Sequence, residues 1–91
     1  MRVTILGKRW ELRFASLRKN WGDCDLPGVA GKEIRISHGH EDEKALLNTV
    51  LHELIHCGCP DMKEETVTRL ADDYERILWR LGWRRTEQQK P

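Results

Sequence analysis

The chain carries almost no net charge. It holds 16 Lys and Arg against 15 Asp and Glu, a formal charge of +1, so the overall balance names no partner. It also has no apolar run of membrane-spanning length, and its opening, MRVTILGKRW, lacks both the apolar core and the small-residue cleavage site of an export signal. These absences predict a soluble chain that stays in the cytoplasm. Cysteine is scarce and odd in number, with Cys24, Cys57 and Cys59. The last two are separated by a single residue, a poor separation for an unstrained disulfide, so reduced thiols are expected. Repeats, linkers and a second domain are also missing. Ninety-one residues make one small domain that buries only around two thirds of its unfolded surface, and such a core gains from a staple such as a bound metal.

Charge is nevertheless unevenly distributed. Residues 1 to 20 contain six basic side chains and the single acid Glu11, whereas residues 21 to 66 carry ten acids against four bases. An acidic middle suits a site that attracts a cation; a basic end is either a solvated face or a nucleic-acid contact. Alternating RVTIL and WELRFA, joined by GKR, predict a β-hairpin. LRKNWGDCDLPGVAG reads as loop, and KEIRIS resumes strict alternation as a third strand placed at the sheet edge. Glu41, Asp42 and Glu43 then mark a helix N-terminus, and Leu47, Val50, Leu51 and Leu54 carry the helix to the stop at GCP. In the second helix Val67, Leu70, Ala71, Tyr74, Ile77, Leu78 and Leu81 form one apolar stripe, ended by Gly82. The polar RRTEQQKP reads as a frayed tail.

The chemistry is concentrated in LHELIH, residues 51 to 56. On a helix, i and i+4 lie one above the other, so His52 and His56 can direct their imidazoles at a single ion. Glu53 is rotated by about 100° from His52, outside the ligand set but within reach of a water that zinc activates. It suits a general base that takes the proton as water attacks a carbonyl and returns it to the leaving amine. A catalytic zinc usually has three protein ligands, and the candidates for the third are Asp61, Glu64, Glu65, Cys57 and Cys59, with His38 and His40 more distant. Helical phase favours Glu64: it lies three residues before Val67 and borders the buried stripe, whereas Glu65 projects close to the opposite side. Cys57 lies near the Leu54 side, where packing explains it, and a Cys59 thiolate would make a tighter, structural site.

With those residues together, the chain resembles a zincin metallopeptidase of the gluzincin type. HELIH matches the His-Glu-x-x-His helix, and the order of strand, acidic N-terminus, active-site helix and second helix matches the minimal zincin core. It is similar in particular to the small SprT-like and ImmA/IrrE-type proteins of bacteria and their phages. In the latter a ligand glutamate is followed six and seven residues on by Phe-Ala, and EETVTRLA gives Glu64 followed at those distances by Leu70 and Ala71. The resemblance covers about residues 32 to 82. It implies an α+β fold in which a small antiparallel sheet of about three strands packs on an active-site helix and a second C-terminal helix, with residues 1 to 83 as the domain and 84 to 91 as the tail. It implies Zn2+ held by His52, His56 and Glu64, Glu53 as catalytic base, and a peptide or protein substrate in the cytoplasm, the host's if the chain is phage-encoded.

Two roles stay open. An oxyanion stabiliser could come from His38 or His40, although loop histidines are ordinarily just exposed, or from Tyr74, whose place on the stripe points to burial. The strand Lys32 to Ser37 could hold an extended peptide by strand addition. Two other functions compete: a zinc-stapled binding module without turnover, and single-stranded nucleic-acid binding through Trp79, Arg80, Trp83, Arg84 and Arg85. Four tryptophans in so short a chain are more simply core and cap.

Overall fold

The computed structural model describes residues 1–85. Strands β1 (Arg2–Ile5) and β2 (Lys8–Ala15) form the expected hairpin, closed by Leu6 and Gly7 between the paired Ile5 and Lys8. Both turn residues have positive φ, 50° and 78°, the backbone sense that matches the right-handed twist of the strands it joins. Gly7 adopts it freely. Leu6, read as the end of a strand, is instead an exposed turn residue.

The sheet corrects two expectations. It has four strands in the order β1-β2-β4-β3, where β3 is Gly22–Cys24 and β4 is Glu33–Ser37. β4 runs parallel to β2 and antiparallel to β3, so the sheet is mixed rather than antiparallel. The segment KEIRIS is therefore an interior strand, not the edge. The physical reason lies in the preceding loop: GDCD contributes a short strand that covers the far side of β4 and becomes the edge itself. Burial agrees, because Ile34 and Ile36 of β4 are completely enclosed.

Alternation sorts the two faces of this sheet. Trp10, Leu12, Ile34 and Ile36 turn inward and join Cys57, with Val3, Ile5, Phe14, Cys24, Leu46, Val50 and Leu54 packed around them. Helix α1 (Glu43–Gly58) supplies the last three and lies on the sheet. Its start is capped by Asp42, whose carboxylate accepts from the Ala45 amide at 2.8 Å, and its last turn closes on Cys59 N–H to Ile55 O at 2.8 Å. Helix α2 (Glu64–Arg80) packs on α1 through the fully buried Val67 and Ala71, with Asn48 donating to Asp72 at 2.9 Å across the pair. Gly82, at φ 96°, ends it as expected.

The stripe of α2 is only half used. Tyr74 is 44% exposed, and Ile77 and Leu81 are also open, so the expected burial of Tyr74 fails. α2 packs mainly on α1, and beyond Ala71 one flank of the stripe, Tyr74, Ile77 and Leu81, stays exposed. The tryptophans divide similarly: Trp10 is core, Trp21 and Trp83 are exposed, and Trp79 is roofed by the Arg84 guanidinium at 3.4 Å. Of the frayed tail expected over 84 to 91, Arg84 donates to Trp79 O and Trp83 O, and Arg85 lies over Phe14 at 4.7 Å. Residues 86–91 lie outside the described residues. No helix among the described residues is long and apolar enough to cross a membrane.

Candidate metal centre

His52 and His56 stand one turn apart on α1, their ring centroids 4.8 Å apart and their planes at 66°. The turn from Cys59 to Lys63 reverses the chain and sets Glu64 as the first residue of α2 against them. Its Oε2 lies 2.9 Å from His52 Nε2 and its Oε1 lies 2.8 Å from His56 Nε2. One donor atom from each of the three residues falls within 4.8 Å of the others, close enough to bind a metal ion. Donor chemistry fits such an ion: two imidazole nitrogens and one carboxylate converge, and an ion between them replaces the direct histidine-carboxylate contacts. The two histidine side chains are about one fifth to one quarter exposed, and Glu64 is 67% exposed, so solvent reaches the centre from the α2 side.

Glu53 occupies the opposite environment. Only 7% exposed, it is pressed between α1 and the sheet edge. Burial pushes its carboxyl upward from the ordinary value, an effect opposed by the neighbouring His52 and His56 and by a hydrogen bond from the Cys24 thiol. Space here is limited by Gly22. A Cβ on that residue would meet Thr49 Cγ2 at 2.9 Å, Arg35 O at 3.1 Å and Glu53 Cγ at 3.1 Å, so the strand lies as close to the helix as a glycine permits.

GDCD, part of the stretch read as loop from the sequence, divides by the two-residue period of a strand. Gly22 and Cys24 face the helix. Asp23 and Asp25 face the other way and grip Arg35 of β4: Nε to Asp23 Oδ1 at 2.6 Å and Nη2 to Asp25 Oδ1 at 2.8 Å, with Nη1 reaching Glu33 Oε1 at 2.9 Å. The Arg35 guanidinium holds the Asp25 and Glu33 carboxyls below their ordinary range, and those carboxylates in turn raise the arginine. This clamp fastens the edge strand to its neighbour. On the helix side, the neighbouring Cys57 sulfur and burial raise the Cys24 thiol, while the neighbouring Cys24 lowers that of Cys57 against the opposing effect of burial.

Between β3 and the histidines lies an open groove of about 450 Å³. Asn20, Asp23, Leu26 and Pro27 form one wall; His52, Glu53, His56 and Glu64 form the other. The edge strand also presents backbone to this space. Asp23 pairs with Arg35, Trp21 O accepts from Ser37 N, and Asp25 N donates to Glu33 O, so the N–H and C=O groups of Gly22 and Cys24 point away from β4 toward the open edge.

The remaining candidates are elsewhere. Cys57 is core, Cys59 is exposed on the helix cap, and Asp61 and Glu65 are exposed outside the ligand group. His38 stacks on Phe14 at 6.3 Å, and both His38 and His40 line a separate groove at the N-terminus of α1. His40 is pinned at both nitrogens, Nδ1 to Ser37 O at 3.0 Å and Nε2 to Thr49 Oγ1 at 2.8 Å. Since a carbonyl only accepts, Nδ1 is the donor to Ser37 O. Tyr74 begins the outer half of α2, ten residues and ~15 Å along the helix from Glu64. None of these three residues lines the metal groove. No protein family, curated protein or solved structure matches the chain.

Proposed function

We propose that the chain is a zinc-dependent metallopeptidase of the minimal zincin kind, acting in the cytoplasm on a peptide or protein substrate. The observation that carries this reading is the convergence of His52, His56 and Glu64 on one groove whose wall contains Glu53. Two histidines and a glutamate are a donor set that suits zinc and leaves a coordination position for water. Zinc bound there supplies Lewis acidity, lowering the pKa of a water and polarising a carbonyl. The chain's own residues supply the rest. Glu53 accepts the proton that the attacking water sheds and later hands it to the leaving amine. The outward peptide groups of Gly22 and Cys24 offer an extended substrate one donor-acceptor ladder, so strand addition falls to β3 in place of Lys32 to Ser37.

The test is hydrolysis by the purified protein with and without chelator, alongside Glu53→Gln, with bound zinc measured on both proteins. Chelator-sensitive cleavage that Glu53→Gln abolishes while zinc stays bound is the expected result. Cleavage that survives Glu53→Gln refutes the mechanism.

A second reading is a zinc-stapled binding module without turnover, contacting protein or nucleic acid. It is favoured by the positions of His38, His40 and Tyr74, which leave the groove without an oxyanion donor of the expected kind. Metal binding is then folding energy: chelation melts the domain, and Glu53→Gln leaves partner binding unchanged.

A further inference from the structure

Two thiols that take no part in the ligand group face each other beneath the groove. Cys24 comes from β3 and Cys57 from α1, and both belong to the single hydrophobic core. Cys24 packs against the buried cluster that contains Cys57, and it lies two residues beyond Gly22 on β3 as Cys57 lies one helical turn beyond Glu53 on α1, which brings the two side chains to the same level. Strand and helix are in tight contact at this level, because Gly22, two residues before Cys24, leaves no room for a Cβ against Glu53 or Thr49. Cys24 also lines the open groove, which gives a small oxidant access to a pair otherwise enclosed. The third thiol, Cys59, is exposed on the turn after α1 and stands apart from the core cluster.

We propose that Cys24 and Cys57 are a disulfide-forming pair that cross-links the edge strand to α1 when a peroxide enters the groove. One sulfur attacks a peroxide oxygen, the O–O bond breaks, and a sulfenic acid and one water result. The second sulfur then attacks the first, the S–O bond breaks, and the hydroxyl leaves as a second water with the remaining thiol proton. Two thiols are oxidised by two electrons and the peroxide is reduced to two waters. Both sulfurs lie on elements already packed together, and the cross-link closes the chain between residues 24 and 57. The pair stands whether or not the groove hydrolyses peptides.

The alternative is that both residues are inert small hydrophobes of the core. To separate the two, the full chain is reduced, freed of reductant and treated with hydrogen peroxide under native conditions. It is then unfolded in alkylating agent and mapped by mass spectrometry. The expected product has lost two hydrogens, keeps one alkylatable thiol, and yields a tryptic cross-link between residues 20–32 and 45–63 that dithiothreitol reverses. Cys59→Ser retains that cross-link, which assigns the second sulfur to Cys57, and Cys24→Ser abolishes it. Should Cys24→Ser fail to fold, the maps of the unsubstituted chain and Cys59→Ser decide the matter. Full alkylation of Cys24 and Cys57 after Cys59 has been oxidised overturns the proposal. So does a cross-link that runs through Cys59 or between chains.

Discussion

Gly22→Ala tests the close approach of β3 to α1. Carbon atoms in contact prefer about 3.5 to 4.0 Å. The added methyl would stand 2.9 Å from Thr49 Cγ2 and 3.1 Å from both Arg35 O and Glu53 Cγ. None of these neighbours yields easily. Thr49 is held by its hydroxyl to His40 at 2.8 Å, Arg35 O belongs to the backbone of an interior strand, and Glu53 is buried. Overpacking of this kind costs about 1 to 3 kcal/mol, which in a domain of this size corresponds to a fall in Tm of roughly 5 to 20 °C. Gly28→Ala is the control, because nothing lies within 4 Å of its added methyl. A double-mutant cycle isolates the contact. Thr49→Ser removes Cγ2 but keeps the hydroxyl for His40, so Gly22→Ala should be less damaging in that background by about 0.5 kcal/mol or more. Thermal and urea melts of the four proteins measure it. If Gly22→Ala melts with the unsubstituted chain, or if the two substitutions add without coupling, β3 does not lie against α1 as described.

Three further outcomes follow from individual contacts. Glu64→Ala should abolish the stabilisation that excess zinc confers, about 2.7 kcal/mol at one hundred times the dissociation constant, whereas Glu65→Ala should retain it in melts with and without zinc. The Arg35 clamp makes stability depend on acid: Asp25 and Glu33 have folded pKa values depressed below 3.8 and 4.5, so their contribution is present above those values and is lost as pH falls through the lower folded ones. An Arg35→Met chain should show a flatter stability profile over that acidic range in pH-dependent urea melts. Finally, Ile34→Ala should cost about 2 to 5 kcal/mol because the residue is fully buried, while the exposed Ile77→Ser should stay within roughly 0.5 kcal/mol on the same measurement.

What could be read in advance was whatever a single helix or turn decides by itself. His52 and His56 owe their common direction to a four-residue spacing, Asp42 caps the turn it precedes, and Glu64 and Glu65 are told apart by helical phase. The structure brings to the centre the glutamate that phase selected. Strand β3 was illegible because its strand character is not local. Three residues, Gly22 to Cys24, become extended as β4 pairs with them and Arg35 grips Asp23 and the following Asp25 on the outer face. That omission turned KEIRIS into an edge and hid the parallel pairing of β2 with β4. Tyr74 fails for a related reason: periodicity announces that a helix has an apolar face but not how far along that face a partner extends, and α1 covers only the first turns of α2 well.

The two halves of the candidate centre are consequently positioned by different parts of the molecule. Glu64 depends on the turn after α1 and on the seating of α2 through Val67 and Ala71. Glu53 depends on β3, with Gly22 setting its distance from the sheet. Metal affinity and proton transfer should therefore be separable by substitution. Changes in the α1-α2 packing, such as Asn48→Ala at the Asp72 contact, should weaken metal binding first. Changes in β3 should move Glu53 while His52, His56 and Glu64 still converge. Were Gly22→Ala to abolish zinc binding in a chain that remains folded, the edge strand and the ligand set would be one mechanical unit, and this division of labour would be wrong.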